Sequence, residues 1–143
     1  MGFYLLIGKK ENWKVSLEQK LWGFTQKNIK QWQRMEKNDL LAFYVTLPIR
    51  SVVGFGIVEK RFHDAKLTWP QEIWLEESIW PYKISFKVLC QCNDWEDGIE
   101  IPKTIILQTA SKRIDQDLFM QMVENADKKW DTCVKNFLPV DDR

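Results

Sequence analysis

The stretch Tyr82 to Cys92 places Tyr82, Ile84, Phe86, Val88, Cys90 and Cys92 at every second position. That is the period of a strand with one face in a core and one face toward water. Phe3-Tyr4-Leu5-Leu6-Ile7 is continuously apolar, as a central strand covered on both faces would be, and Leu40 to Thr46 reads as a second strong strand. A chain carrying all three must build a sheet with layers packed against it.

The intervening segments supply those layers. Ile29, Trp32 and Met35 recur three apart within 26–35, the pattern of an amphipathic helix. Ser16 is placed to cap a short turn through Lys20. Asp115 is placed to cap a longer helix reaching about Phe137, with the stripe Leu118, Met122, Ala126, Trp130, Cys133 and Phe137. Ser51 to Lys60 reads as another strand, where Gly54 and Gly56 indicate a bend or a close backbone approach. Glu36-Lys37-Asn38-Asp39 reads as a turn, Asn38 accepting a positive φ. The segment Arg61 to Ile79 has no clean period but contains Trp69 and Trp74, and Trp80 follows it; long aromatic loops inside small domains are usually functional. The expected architecture is α+β: a curled mixed sheet or small barrel with flanking helices and a C-terminal helix, in a single domain over 1–143.

Several function classes fall away. No apolar run approaches the ~20 residues of a membrane span, and Phe3 to Ile7 is too short for a secretory leader, so a cytoplasmic protein is expected. Cys90, Cys92 and Cys133 lack zinc spacing and His63 is the sole histidine, so no metal or cofactor is expected and the cysteines read as buried thiols. Gly54-x-Gly56 lacks the remainder of a phosphate loop, and no Gly-x-Ser-x-Gly elbow occurs. His63-Asp64 suggests a base and its orienter, but adjacent side chains seldom face each other, and an ordinary loop histidine is the simpler reading.

Charge and aromatics point elsewhere. Residues 1–70 hold 12 basic and 6 acidic side chains, whereas 71–143 hold 9 and 14. The basic half interleaves Lys9, Lys10, Lys27, Lys30, Arg34, Lys60 and Arg61 with Trp22, Tyr44 and Trp69. Cations that neutralise phosphates beside rings that stack on bases are the usual means of gripping unpaired nucleotides. The competing explanation is that the eight tryptophans fill the core and the lysines keep the surface soluble. Trp22, Trp69, Trp74 and Trp80 sit in stretches without evident periodicity, where core packing explains them less well.

The ordered series Tyr4-Leu5-Leu6-Ile7, Asn12-Trp13, Leu21-Trp22-Gly23-Phe24, Asn38-Asp39-Leu40-Leu41-Ala42-Phe43-Tyr44, Val53-Gly54-Phe55-Gly56-Ile57-Val58 and Trp80-Pro81-Tyr82 resembles an EVE domain, a PUA-like family related to YTH and ASCH domains. Asn38 stands where that family usually has Gly. The resemblance implies a PUA-like pseudo-barrel and a pocket for a flipped, methylated or otherwise modified base of DNA or RNA. By position it makes Trp22 one wall of an aromatic cage, Trp69 and Trp80 the other with Trp74 in reserve, and Tyr44 and Thr46 the floor. Thr25, Thr46 and the amides around Gly23 would read the base edge, and Lys9, Lys10 and Arg61 would meet phosphates. An ASCH-like nuclease or hydrolase using the same pocket, and a protein-interaction module presenting the aromatic loop, are the alternatives.

Overall fold

The computed structural model describes residues 1–105, 107 and 109–130. Their strands are β1 (Phe3–Gly8), β2 (Leu21–Phe24), β3 (Leu40–Val45), β4 (Ser51–His63), β5 (Tyr82–Gln91) and β6 (Ser111–Ile114). Their helices are α1 (Lys10–Gln19), α2 (Ile29–Arg34), α3 (Pro70–Leu75) and α4 (Gln116–Trp130). The six strands form one curled sheet in the order β2-β5-β4-β3-β1-β6, an α+β half-barrel. Only β1 and β3 run parallel among its neighbouring pairs. Parallel neighbours need a crossover, and here α1, β2 and α2 provide it.

Strand periodicity sorts the interior into two layers. Leu40, Ala42 and Tyr44 of β3 join Leu5, Phe55 and the α4 residues Phe119, Met122, Val123 and Ala126. Leu41, Phe43 and Val45 join Trp13 of α1, Trp22, Phe24, Ile84 and Phe86 in the other layer. α4 is packed by its apolar stripe, and Asp115 caps it by accepting the Leu118 N–H at 2.7 Å. The stripe positions Cys133 and Phe137 lie outside the described residues.

β4 bends where two register shifts interrupt its pairing with β5. A Cβ on Gly56 would lie 2.6 Å from both the Lys87 carbonyl oxygen and the Phe43 ring, so the close approach expected there is present. Asn38 has φ of 75°, and its N–H donates to the Val58 carbonyl.

Four local expectations are corrected. Ser16 sits buried within α1, which already begins at Lys10, rather than capping a short turn. Leu21–Phe24 is a strand, paired with β5, although its apolar character gave no clear period. His63 ends β4 instead of lying in a loop. The helix expected over 26–35 divides into a 3₁₀ turn, Gln26–Asn28, and the shorter α2. Among the described residues, no helix is long and apolar enough to cross a membrane.

Candidate nucleic-acid interface

At one end of the sheet a pocket of about 180 Å³ opens between the end of β1, the start of α1, β2 and the loops before α3, β5 and β6. It is lined by Ile7, Gly8, Lys9, Asn12, Trp22, Gly23, Trp69, Trp80 and Ala110. The structure thus brings Trp22, Gly23, Trp69, Trp80 and Lys9 together from segments far apart in sequence.

The three indoles play different structural parts. Trp22 is 5% exposed and stacks on Trp13, ring centroids 4.3 Å apart and 24° from parallel. Its Nε1 is buried and has no hydrogen-bond partner among the described residues. Trp69 is 2% exposed and donates its Nε1–H to Ser16 Oγ at 2.9 Å. Trp80 is half-buried and meets Trp69 edge-on, centroids 5.7 Å apart at 78°. Trp69 and Trp80 therefore form a corner rather than the two faces of a slot.

A single carboxylate holds that corner. Glu72, wholly buried in α3, accepts the N–H groups of Thr68 at 2.9 Å and Trp69 at 3.2 Å on one oxygen. Its other oxygen accepts those of Ile79 at 2.9 Å and Trp80 at 3.0 Å. Burial alone would raise its pKa, but the four backbone donors outweigh that and hold the carboxyl below its ordinary 4.5. The order Trp69-Pro70-x-Glu72 carries the signal for this, Pro at the first helical position and Glu at the third.

Behind Trp69 lies Lys83, 1% exposed, its ammonium 5.8 Å from the Trp69 ring centroid. It is paired with Asp64 at 2.6 Å and donates to the Lys66 carbonyl at 2.9 Å. The hydrogen bond from Lys83 is the main reason the Asp64 carboxyl lies below its ordinary range. Asp64 is thereby engaged with Lys83 and not with His63, whose ring instead packs 4.9 Å from Tyr82.

Gly23 lets the corner close against β2. A Cβ there would meet the Trp80 Cβ at 2.6 Å and the Trp69 ring at 2.7 Å. Gly23→Ala is expected to displace both rings and fill the pocket mouth; the check is tryptophan fluorescence, whose emission maximum should move to longer wavelength while the far-ultraviolet circular dichroism stays the same.

Other expected site residues fall elsewhere. Tyr44 does not floor the pocket: strand alternation turns it into the α4-side layer, and it lines a separate cleft with Arg50 and Pro102. Thr46 is not among the lining residues; its N–H binds the Gly8 carbonyl at 2.9 Å, tying β3 to β1. Thr25 leads into the 3₁₀ turn, also outside the lining. Trp74 is 86% exposed on α3, away from the pocket. Lys10 faces a different cleft with Lys14, Asp94 and Glu96. Arg61 donates to the carbonyls of Trp32, Gln33 and Met35 and lies over the Trp32 ring, so it caps the C-terminal end of α2.

Among the described residues no group of three or more His, Cys, Asp or Glu is placed to hold a metal. Cys92 is a free, buried thiol whose pKa burial pushes up to about 11, unlike a ligand or nucleophile. Cys90 is disulfide-bonded, contrary to the expectation of a thiol, and Cys133 lies outside the described residues.

No family model matches the sequence. A UPF0310 protein of Pyrococcus abyssi is 30% identical over 73 residues, 46% of this chain and 51% of the relative. The chain thus spans about half the length of the curated relative it matches. An ASCH protein of Zymomonas mobilis superposes with a TM-score of 0.61, covering 87% of this chain and 96% of the other at 12% identity. The YTH domain of a Zygosaccharomyces rouxii protein, solved with N6-methyladenosine RNA, superposes with a TM-score of 0.60, covering 87% and 85% at 12% identity. The fold is PUA-like. A third such structure, a protein of Agrobacterium tumefaciens, covers 85% of this chain and 90% of its own with a TM-score of 0.59 and 12% identity. At such identities the likeness is one of PUA-like fold alone.

Proposed function

We propose that this chain is a reader of the EVE type, holding an extruded, modified base of DNA or RNA in the Trp22–Trp69–Trp80 pocket. The observation that carries the reading is an apolar, ring-lined pocket of about 180 Å³. A cavity of roughly 150 Å³ accepts benzene, so this one suits a single heterocycle. A base would face the indoles that line the pocket. A methyl on that base adds about 0.8 kcal/mol of apolar burial. Lys9, exposed at the mouth, is placed for the adjoining phosphate. The solved complex of the similar YTH domain with N6-methyladenosine RNA supports the reading.

The test is fluorescence titration with single-stranded oligonucleotides differing in one modified base, at two salt concentrations. Quenching that is tighter for the modified strand and weaker in salt is expected; no quenching with any strand would sink the reading. Trp80→Ala should weaken binding by about 10- to 100-fold, the value of one stacked base, with only a small fall in Tm because the ring is half-exposed.

A specific surface favours one other reading. Ile73, Trp74 and Leu75 are 59%, 86% and 49% exposed on neighbouring positions of α3, the kind of apolar patch that contacts another protein. Loss of a partner on Trp74→Ala, with oligonucleotide binding unchanged, would assign that role to the patch.

A further inference from the structure

The geometry points to a phosphate-binding cleft at Arg34 and Arg113, beside the aromatic pocket. This inference rests on the proposed reading for the identity of its ligand, a phosphate of the same nucleotide strand. The cleft has a volume of about 350 Å³ and is lined by Tyr4, Gln31, Arg34, Thr109, Ser111 and Arg113. It is contiguous with the pocket through the chain itself, because Ala110 lines the pocket while its neighbours Thr109 and Ser111 line the cleft.

The chemistry is that of an anion site. Arg34 and Arg113 both line the cleft, and neither has an ion-pair partner among the described residues. Arg113 pairs in register with Tyr4 across β1 and β6, and its guanidinium lies 5.9 Å from the Tyr4 ring centroid, which limits its freedom. Arg34 ends α2, where its own carbonyl accepts the Tyr4 hydroxyl at 3.3 Å and so fixes the backbone that presents it. Ser111 Oγ donates to Gln31 Oε1 at 2.6 Å, which leaves the Gln31 amide hydrogens as further donors. The carboxylate behind Tyr4, Asp39, is already held by the N–H groups of Gly2 and Glu36 and is 4% exposed. Two guanidiniums with an amide donor match the tetrahedral oxygens of a phosphate better than a lone lysine does.

The spacing suits a strand held at the pocket. Gly8 at the pocket and Tyr4 at the cleft share one face of β1, four residues apart, or about 13 Å at the rise of a strand. Sugar and phosphate links flanking a base seated in the pocket can cross that distance. Arg34 and Arg113 would then fix which way the strand runs, a task for which a symmetric patch of lysines is poorly suited.

The experiment compares the full chain with R34Q/R113Q, using an eight-nucleotide single strand at several salt concentrations. Both arginines are exposed, and the amide spectrum checks that the variant is folded. Affinity should fall about tenfold, and the slope of log K against log salt should shrink by about 0.7 for each phosphate no longer neutralised, with the preference for the modified base unchanged. An unchanged slope with intact oligonucleotide binding would overturn the cleft and leave the reader standing. If no oligonucleotide binds at all, the reader falls instead, and pyrophosphate titrated against the arginine Nε–H signals decides the cleft. Shifts that vanish in R34Q or R113Q would keep it as an anion site; no shifts would end it.

Discussion

Trp22→Ala should unfold the protein more readily than it should empty the pocket. We expect a loss of about 3–5 kcal/mol, the range for deleting a large buried aromatic. The reason is the stack on Trp13, itself fully buried with its Nε1 bound to the Tyr44 carbonyl at 2.7 Å. Trp22 is floor and core together, so loss of binding in the alanine variant would say little about recognition. Trp22→Phe separates the roles: it keeps an aromatic face on Trp13 but removes the Nε1 donor. Its expected profile is a Tm much nearer wild type with oligonucleotide binding retained. A thermal melt of Trp22→Ala that falls by less than about 3 °C would show that the ring contributes to the pocket and not to the core.

Glu72→Gln should cost about 3 kcal/mol and open the aromatic corner. The carboxylate satisfies four backbone donors, and hydrogen bonds to an ionised group contribute more than neutral ones, roughly 1.5–3 kcal/mol each before sharing. An amide keeps one acceptor oxygen and turns an NH₂ toward two N–H groups, so two buried donors lose their partners. The pH dependence has a definite sign. A carboxyl whose folded pKa lies below its ordinary 4.5 contributes its full stability above that value and loses it as pH falls through the lower, folded pKa. The Tm difference between wild type and Glu72→Gln should therefore be constant above about pH 5.5 and shrink in acid. A difference that persists undiminished at the lowest pH would mean that ionisation of Glu72 is not what holds the loop.

Strands are legible in the sequence where one residue type repeats at a strand's period. Tyr82–Gln91 alternates and Leu40–Val45 is continuously apolar, and both are strands in the places expected. The same local logic identifies Asp115 as a helix cap and Asn38 as a positive-φ turn residue. It fails at Lys10–Gln19, a polar helix whose buried side is little more than Trp13 and Ser16, so the amphipathic signal is weak. It fails also at Leu21–Phe24 and Ser111–Ile114, four residues each, too short to show a period.

The candidate site divides along the same line. That Trp22, Trp69 and Trp80 belong together is legible only from the resemblance; irregular context misleads at Trp22, which lies in β2 and packs on Trp13 in a core layer. Which polar and aromatic neighbours join them is not legible. Tyr44 is excluded by the face on which β3 presents it, and Arg61 by carbonyls at the end of α2 that lie 26 to 29 positions earlier in the chain. Glu72 and Lys83 are hidden for the opposite reason: a charged residue reads as surface until a fold supplies partners that keep it charged when buried. Most of the strand and helix inventory and the aromatic stock are thus written in the chain, since these follow from neighbours a few residues away. Folding settles which rings share a pocket, which carboxylate holds them and which arginines stay without an ion pair among the described residues, because those pairings run across the sheet, in a register that no local pattern records.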